Sequence, residues 1–589
     1  MSKRVPNPNS DNAQWGSILN AHLAQIQNPV TGAFNSFDTF AERPAAAGFT
    51  KDDAGKMYLY TQTGNWHELY WNSTTSNLDW KVLNHNNGLY ANVKDYGAYG
   101  DGVHDDTTAI QDCLNRFKKN YFPAGIYCSR SAVSIPGSRT LLGDGGILSE
   151  IRNIDTIENH FIVSYYGKDN KGNSYTGATD ITIDSLYLNG NRNRINGGAW
   201  SGSTFDFGNF DLAKEPRENN ICIKNCVISG NGFNNIGSEN SHFVLIDGCR
   251  FINGRDSGIA ATTGCSNWTV VNCTFDDTMI FPISFSNNGV PLNTYNNIGQ
   301  LRNIIISNNR IKVGGNKDLK GNTVNGIGIE LDACKNVIVS GNIITITPEG
   351  TYGIRILPSG TQGISNAYDC NDINITGNTI INQSPNNTVG IELYNNYLDT
   401  EPKQIKISNN IISNEISSNH TGISVYNLNR VIIENNIIKS TGTLLQGILL
   451  NVFVEGDVIF NVDIIGNDIS GASLAGIQCS GKNTTTSKVN FINNKAYNNA
   501  SNLGLNGGWE FQTSNNYFPL PNYLDPGIIV HGDLRFYTAP PANGTWLLNE
   551  IVYNAAPNTS TNDVIQYIGW VCIAAGSPGT WKGFGPIST

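Results

Sequence analysis

A short motif of alternating apolar residues followed by paired asparagines recurs through the chain. Its consensus is Asn-x-apolar-x-apolar-x-Asn-Asn-x-apolar, and the spacing between copies varies from 26 to 36 residues. Apolar alternation with a period of two predicts a β-strand in each copy, and no single copy can bury its apolar face alone. The copies are Ile304/Ile306/Asn309, Val337/Val339/Asn342, Ile373/Ile375/Asn378, Ile405/Ile407/Asn410, Ile432/Asn436, Ile464/Asn467 and Phe491/Asn494.

A second motif, Gly-Ile-x-apolar, lies between copies of the first. Its isoleucines are Ile259, Ile329, Ile354, Ile391, Ile423, Ile448 and Ile477, and Ile236 and Ile283 fit the same position without the glycine. Each repeat therefore supplies several short strands joined by turns, which stack on the next repeat about 4.8 Å away. The predicted fold is all-β, a right-handed parallel β-helix with an N-terminal capping helix and small β modules at both ends.

The paired asparagines predict a specific turn in each coil. The second member of each pair recurs at Asn309, Asn342, Asn378, Asn410, Asn436, Asn467 and Asn494. Asparagine tolerates the left-handed αL conformation, so a stacked ladder of amides is expected at this turn. Cys226, Cys249 and Cys273 occupy the matching position of earlier coils and are expected to be buried thiols.

Upstream of the repeats, residues 95–110 read DYGAYGDGVHDDTTAI and residues 122–125 read FPAG. Asp105 and Asp106 are candidate N-caps of an amphipathic helix that would close the open end of the solenoid. Together with the repeats, this opening resembles the pectate-lyase-superfamily β-helix found in many phage tailspikes, over roughly residues 92–515.

This resemblance implies a homotrimer on the tail of a phage or phage-tail-like particle, which acts outside the cell on a bacterial surface polysaccharide. It implies little about chemistry, because Asp101, Asp105 and Asp106 fit tight turns and a helix cap. Residues 1–35 resemble leader segments of tail proteins, so a tail or baseplate protein is their expected partner. Residues 36–91 and 516–589 are predicted to be small β modules, the second for trimerisation or carbohydrate binding, and residues 92–515 the β-helix.

Charge and cysteine usage exclude several functions. The net charge of −10 disfavours nucleic-acid binding, which depends largely on Lys and Arg. No apolar run approaches the length of a membrane span, and no export signal is expected at the N-terminus. The eleven cysteines show no zinc-site spacing, so neither a metal nor a cofactor is predicted.

Alignment of the Gly-Ile motifs places outward side chains in columns along the stack. One column reads Gly237, Ala260, Ser284, Glu330, Arg355, Glu392, Ser424, Leu449 and Gln478. The next reads Glu239, Thr262, Ser286, Asp332, Leu357, Tyr394, Tyr426, Asn451 and Ser480. The predicted catalytic residues are Glu330, Glu392 and Asp332, and the predicted substrate-binding residues are Arg355, Tyr394, Tyr426 and Trp200.

The chemistry follows from the spacing of the carboxyls. Glu330 and Glu392 would be two coils apart, roughly 9.6 Å between backbones, so flexible side chains reach the roughly 6.5–9.5 Å of an inverting glycosidase. Arg355 between them would keep one carboxylate ionised. A lyase could use the same face, with Arg355 neutralising a uronate while a base removes the α-proton. An ordinary cross-strand ion-pair ladder also explains an outward Glu-Arg-Glu row.

Other interpretations stay open at this stage. A second acidic cluster is a candidate site, and its members are Asp206, Asp211, Glu215, Arg255, Asp256, Asp276 and Asp277. Besides a polysaccharide depolymerase, the same fold suits a non-catalytic receptor-binding tail fibre or a cellular pectinase-like enzyme. The leader and the missing export signal disfavour the last of these.

Overall fold

The structure is a computed structural model of the 589-residue chain. It describes residues 36–37, 49–50, 53–54, 56–60, 65–72, 77–82, 90–154, 161–168, 174–177, 179–191, 202–209, 219–230, 234–254, 256–262, 264–286, 301–314, 326–357, 370–394, 404–426, 430–452, 461–481, 488–505, 510–518, 523–524, 529–532, 536–537, 539–542, 546, 548–554 and 566–587. The predicted leader 1–35 lies outside these residues, as does Trp200.

The larger of two compact units comprises Gly198–Trp200, Gly208–Glu218 and Phe233–Thr589. Its repeats form stacked parallel strands on three faces, which we call the first, second and third face. This pairing confirms a parallel β-helix; a right-handed winding, the sense that parallel crossovers favour, stays part of the prediction. The first-face strands are His242–Asp247, Ser266–Val271, Leu301–Ser307, Cys334–Ser340, Asn371–Thr376, Ile405–Ser408, Val431–Glu434, Asn461–Ile465, Lys488–Ile492, Glu510–Ser514 and Ile529–Gly532.

The second and third faces follow the first in every coil. The second face consists of Arg250–Ile252, Thr274–Met279, Arg310–Val313, Ile343–Ile346, Thr379–Asn382, Ile411–Asn414, Lys495–Tyr497 and the first parts of Ile437–Val452 and Asp468–Gly481. The third face consists of Ile236–Glu239, Ser257–Thr262, Phe281–Ser286, Gly326–Asp332, Gly350–Leu357, Thr388–Tyr394, Ser417–Tyr426, the later parts of the same two long strands, Leu503–Leu505 and Tyr523–Leu524.

Alternating apolar residues of each strand point into one continuous core. On the third face Ile329, Ile354, Ile391 and Ile423 are fully buried and lie in register on successive coils. The glycine before each isoleucine is required sterically: a Cβ at Gly353 would lie 2.6 Å from the carbonyl oxygen of Gly390. The Gly-Ile motif therefore marks a place where neighbouring backbones approach too closely for a side chain.

The predicted asparagine ladder is present and buried. Nδ2 of Asn342 donates to Oδ1 of Asn378 over 2.9 Å, and Nδ2 of Asn378 donates to Oδ1 of Asn410 over 3.0 Å. The αL conformation, however, belongs to the residue before each ladder asparagine, for example Asn308 and Asn409 with φ of 56° and 55°. The preceding residue makes the turn, and the ladder residue points inward to bond its neighbours.

One repeat was aligned incorrectly from the sequence. In the strand Val431–Glu434, Val431 and Ile433 are fully buried, whereas Ile432 is half-buried and faces outward. The prediction that Ile432 belongs to the inward column of Ile304 and Ile306 is therefore wrong. Three consecutive apolar residues hide the period of two, and the register with Ile405 and Ile407 resolves it.

The smaller unit comprises Met1–Gly197, Ser201–Phe207 and Asn219–Gly232. It also contains stacked parallel strands. Its strands from residue 91 onward are Ala91–Asn92, Asp101–Asp105, Lys119–Phe122, Gly125–Ser129, Val133–Ser134, Arg139–Gly143, Ser149–Asn153, Ile162–Lys168, Ser174–Thr176, Ile181–Asp184, Tyr187–Asn189, Ile221–Lys224 and Val227–Ser229, with most of Phe205–Asn209. A 3₁₀ helix spans Val93–Tyr96 and an α-helix spans Thr107–Arg116.

The α-helix buries the residues that the sequence assigned to its apolar side, namely Ala109, Ile110, Cys113 and Leu114. Asp106 is the N-cap residue, yet its side chain makes no capping hydrogen bond. Its carboxylate instead accepts hydrogen bonds from the backbone N–H groups of Tyr99, Gly100 and Cys128. Asp106 thus fastens the preceding turn to a strand, whereas Oδ1 of Asp105, the other candidate, accepts a hydrogen bond from the backbone N–H of Thr107 over 3.1 Å.

Small sheets occupy both ends of the chain. The first contains Ser36–Phe37, Met57–Tyr60, Asn65–Asn72 and Asn77–Val82, and the second contains Phe536–Tyr537, Ile551–Asn554, Gln566–Ala574 and Thr580–Ile587. Trp80, Trp546 and Trp570 are buried in these regions. The predicted domain boundaries at 35, 91 and 515 stay predictions.

All eleven cysteines are free thiols, and Cys226, Cys249 and Cys273 are buried as predicted. Within the described part of the chain, no helix combines the length and the apolar character that a bilayer crossing requires.

Candidate active site

Three consecutive coils of the third face place Glu330, Arg355 and Glu392 side by side. Glu330 pairs in register with Arg355, and Arg355 pairs with Glu392. Ser284 precedes this row and Ser424 follows it, also in register. Each of these residues follows a buried apolar residue, so the alternation of the strand turns it outward. The aligned column expected from the sequence is therefore present.

The carboxyl group of Glu330 is held by a serine on the preceding coil. Oγ of Ser284 donates a hydrogen bond to Oε2 of Glu330 over 2.6 Å. Burial raises the pKa of the Glu330 carboxyl above its ordinary value, while the Ser284 hydrogen bond and the charge of Arg355 oppose the rise. The Glu330 carboxyl therefore keeps its proton to a higher pH than an ordinary glutamate does.

Glu392 is held by an ion pair. Nε of Arg355 lies 2.6 Å from Oε2 of Glu392, and only 7% of the Glu392 side chain is exposed. Burial raises the pKa of Glu392 as well, although the positive charge and the hydrogen bond of Arg355 counter it. The pKa values of both carboxyls are therefore raised, because both groups are substantially desolvated.

The guanidinium group of Arg355 lies between two aromatic rings. Its Cζ atom is 4.4 Å from the ring centroid of Tyr352 and 5.7 Å from that of Tyr394, distances suited to cation–π attraction. Tyr352 was missed from the sequence because strict alternation assigns it inward. A shift of register between Gly326 and Ile327 allows the ring to be half-buried beside Arg355.

Two tyrosines extend the site along the stack. Tyr394 and Tyr426 pair in register, and their rings meet edge to face with centroids 5.3 Å apart at 67°. Both are half-buried, so each ring keeps an accessible surface. Burial raises the pKa of Tyr426, and the nearby charge of Glu392 adds to the rise.

Asp332 lies two residues after Glu330 on the same strand, about 6.5–7 Å away between Cα atoms. Oγ of Ser286 donates to its Oδ2 over 3.2 Å, and the side chain is half-buried. Of the seven predicted site residues, the structure thus brings six onto one face. Trp200, the seventh, lies outside the described residues.

A row of neutral polar groups continues beyond Glu392. Oγ1 of Thr421 donates to Oε1 of Gln446 over 3.1 Å, and Nε2 of Gln446 donates to Oε1 of Gln478 over 3.1 Å. Thr421 and Gln446 are buried, so these hydrogen bonds join side chains of neighbouring coils.

Members of the second acidic cluster interact with neighbouring side chains or are buried within a strand. Asp276 forms an ion pair with Arg250 over 2.6 Å, and Asp256 accepts a hydrogen bond from Ser257. Asp206 is buried in the strand Phe205–Asn209. The placements of Asp211, Glu215 and Arg255, and of the side chain of Asp277, lie outside what the structure describes.

Among the described residues, no group of three or more His, Cys, Asp or Glu side chains is arranged to hold a metal ion. The row on the third face places two carboxyls on alternate coils, with the cation of Arg355 between them and tyrosines beside them.

Comparison with known proteins agrees with this architecture. Residues 90–309 match the family model described as rhamnogalacturonase A/epimerase, pectate lyase-like. The preneck appendage protein of Bacillus phage PZA is 23% identical over 327 residues, which are 51% of this chain and 34% of that protein. Plasmin and fibronectin-binding protein A of Streptococcus pneumoniae is 30% identical over 182 residues, which are 27% of this chain and 24% of that protein.

Among solved structures, the enzymatically active domain of tailspike protein 2 from bacteriophage CBA120 has a TM-score of 0.46 and 12% identity, covering 75% of this chain and 60% of that one. The chain spans about a third or less of the length of the curated relatives it matches. Residues 90–309 thus match a pectate-lyase-like family model, and about half of the chain is similar to the preneck appendage protein of a Bacillus phage.

Proposed function

We propose that this protein is a tail appendage that binds a bacterial surface polysaccharide and cleaves it by hydrolysis. The observation that carries this proposal is the row on the third face. Glu330 and Glu392, both with pKa values raised by burial, flank Arg355 on successive coils. Desolvated carboxyls near a cation are a recurrent arrangement in acid–base catalysis.

The two carboxyls differ in their partners, and this difference assigns their roles. Glu330 receives only a neutral hydrogen bond from Ser284, so its protonated form serves as the general acid that gives a proton to the leaving glycosidic oxygen. Glu392 faces the guanidinium of Arg355, so its ionised form serves as the base that takes a proton from the attacking water. The water oxygen bonds to the anomeric carbon on the face opposite the leaving oxygen as the glycosidic bond breaks, so this single displacement inverts the anomer. The proton of the water passes to Glu392, the proton of Glu330 passes to the leaving oxygen, and exchange with solvent restores both carboxyls.

Elimination is the less favoured reaction at this site. It needs a free cation to neutralise a uronate carboxylate, whereas Nε of Arg355 is already committed to Glu392. Tyr394 and Tyr426 provide ring surfaces for the pyranose units that extend beyond the cleaved bond. Asp332 supplies a further hydrogen-bond acceptor for sugar hydroxyls.

The resemblance to phage tail proteins supplies the biological context of the proposal. The preneck appendage relatives support a location on the virion tail, with residues 1–35 docking on a tail or baseplate protein. A homotrimer, action outside the host cell and a capping role for the helix Thr107–Arg116 are parts of the same proposal.

The direct test is to incubate the full chain with capsular, O-antigen and exopolysaccharide preparations from candidate hosts. Hydrolysis releases new reducing ends without ultraviolet absorbance from an unsaturated uronate, whereas elimination produces both. Binding to a polysaccharide without either product would contradict the proposal and indicate a non-catalytic receptor-binding fibre.

A further inference from the structure

A groove of about 530 Å³ lies on the first face, away from the row of Glu330, Arg355 and Glu392. Its central row is Asn374, Lys406, Ile432 and Asp463, which pair in register on four successive coils. We call this the first-face groove. Asp372, Gln404, Arg430 and Asn461 line its side.

The groove combines an apolar patch with polar groups. Ile432, the outward residue that interrupts the inward pattern, is half-buried in the middle of the row. Lys406 is already neutralised by Glu434, whose Oε1 lies 2.6 Å from Nζ. Asp463 already accepts a hydrogen bond from Asn490. An apolar patch between hydrogen-bonding groups suits the C–H face and the hydroxyl rim of a sugar ring.

Arg430, on the side of the groove, combines an exposed positive charge with an unfavourable backbone conformation. It is exposed, and no carboxylate of the described residues lies within ion-pair distance of it. Its backbone is in the αL region, with φ of 54°, a conformation that is unfavourable for side chains other than those of Asn and Asp. Four coils of the same face place Asn267, Asn303, Asn336 and Asp372 at this turn, and an earlier coil places Phe243 there. The strained arginine is therefore costly for folding, as residues at ligand sites often are.

Asn374 carries a second feature that is unfavourable for folding, a buried hydrogen-bond acceptor without a donor. Its Oδ1 atom is buried at the groove and accepts no hydrogen bond from the residues that the structure describes. The corresponding residues of earlier coils, Ile305 and Ile338, carry no polar group at all. A buried acceptor without a donor is destabilising, and a ligand hydroxyl would satisfy it.

From these observations we infer that the first-face groove is a second saccharide site that binds an acidic sugar unit. Arg430 pairs with the carboxylate of that unit in the fork geometry that guanidinium groups offer. Asn374 accepts a hydroxyl hydrogen, and Ile432 packs against the ring. The volume of about 530 Å³ falls within the range of small-ligand pockets.

The groove is independent of the proposed cleavage site, because the two lie on different faces. Its role is to hold a charged polysaccharide without cutting it. A failure of binding here and a failure of turnover on the third face are thus separate outcomes.

Titration of the full chain with purified bacterial capsular polysaccharides, some containing uronic acids and others neutral, tests the inference. Uronate-containing glycans are expected to bind and to protect the strands Val431–Glu434 and Asn461–Ile465 from hydrogen exchange. Arg430→Asn is expected to weaken this binding at least tenfold while keeping or raising the melting temperature. Asn374→Ile should act in the same direction, and Arg310→Asn, an exposed arginine on the second face, should change nothing.

Three results would overturn the inference. One is no protection of the strands Val431–Glu434 and Asn461–Ile465 by any uronate-containing member of the panel, and another is equal protection of these two strands by the neutral glycans. The third is unchanged affinity and protection in Arg430→Asn and Asn374→Ile, both of which place residue types that neighbouring coils already accommodate.

Discussion

Nε of Arg355 lies 2.6 Å from Oε2 of Glu392, and the two residues face each other in register on adjacent coils of the third face. The exposed fraction of the two side chains is 20% and 7%, so the pair is largely shielded from water. Removing one partner from a shielded ion pair leaves an uncompensated charge, which costs more than the intact pair contributes. The protonation state of Glu392 therefore depends on Arg355.

Replacement of Arg355 by Met should shift the pH dependence of turnover. Without the guanidinium, the pKa of Glu392 rises further, so a larger fraction is protonated and unable to act as a base. We expect kcat/KM at neutral pH to fall about tenfold or more and the acid limb of its pH profile to move to higher pH. Arg355→Lys should restore part of both effects. An unmoved acid limb would show that Glu392 is not the base.

Glu330→Gln should stabilise the fold at neutral pH while impairing activity. The pKa of Glu330 is raised in the folded chain above the unfolded value of about 4.3, so the folded state binds the proton more tightly. The stability due to this group is fully present below that value and is lost as pH rises through the folded pKa. Thermal melts should show the variant above wild type at pH 7, with the difference vanishing below about pH 4. A variant less stable at pH 7 would contradict the raised pKa.

Substitutions in the buried asparagine ladder should lower the free energy of unfolding far more than substitutions of exposed asparagines on the first face. Asn378→Ala removes the acceptor of Nδ2 of Asn342 and the donor to the carbonyl of Val339, and we expect a loss of about 3 kcal/mol or more in the free energy of unfolding. The exposed Asn303, which donates to Asn267, should cost only about 1 kcal/mol when replaced by Ala. Chemical denaturation measures both, and equal losses would be inconsistent with the buried ladder.

Gly377 and Gly390 lie on the same coil but should differ in how much an added side chain changes the free energy of unfolding. A Cβ at Gly390 would lie 2.6 Å from the carbonyl oxygen of Gly422 and 2.9 Å from Cγ2 of Ile412, so Gly390→Ala should destabilise by about 1–3 kcal/mol. Gly377, with φ of 65°, has nothing within 4 Å of such a Cβ. Gly377→Asn should be tolerated within about 0.5 kcal/mol, since asparagine adopts αL readily. Denaturation midpoints of the two variants distinguish these outcomes.

The repeats made much of the fold predictable from the sequence. Because Ile329, Ile354 and Ile391 are fixed inward by the core, the residues after them had to align outward, and Glu330, Arg355 and Glu392 do so. The prediction was less certain where apolar residues are consecutive, and Ile432 was wrongly placed inward.

Contacts that depend on local irregularity could not be predicted. The position of Tyr352 beside Arg355 follows from a shift of register, and the bonds of Asp106 to Tyr99 and Cys128 join segments that no repeat relates. The first-face groove could not be predicted from the sequence for a different reason. Its residues sit at outward positions of separate repeats, and neither their charge nor their spacing marks them until the coils are stacked.

The most direct test of the proposed function compares product formation by wild type, Glu330→Gln and Glu392→Gln on a polysaccharide that the wild type cleaves, with Arg310→Asn as a control on another face. Each glutamine variant should bind the polysaccharide and keep the folded state, yet release reducing ends at least about a hundredfold more slowly, as expected for loss of a general acid or base. Near-wild-type release by both variants would contradict the account and remove the third-face row from consideration as the cleavage site.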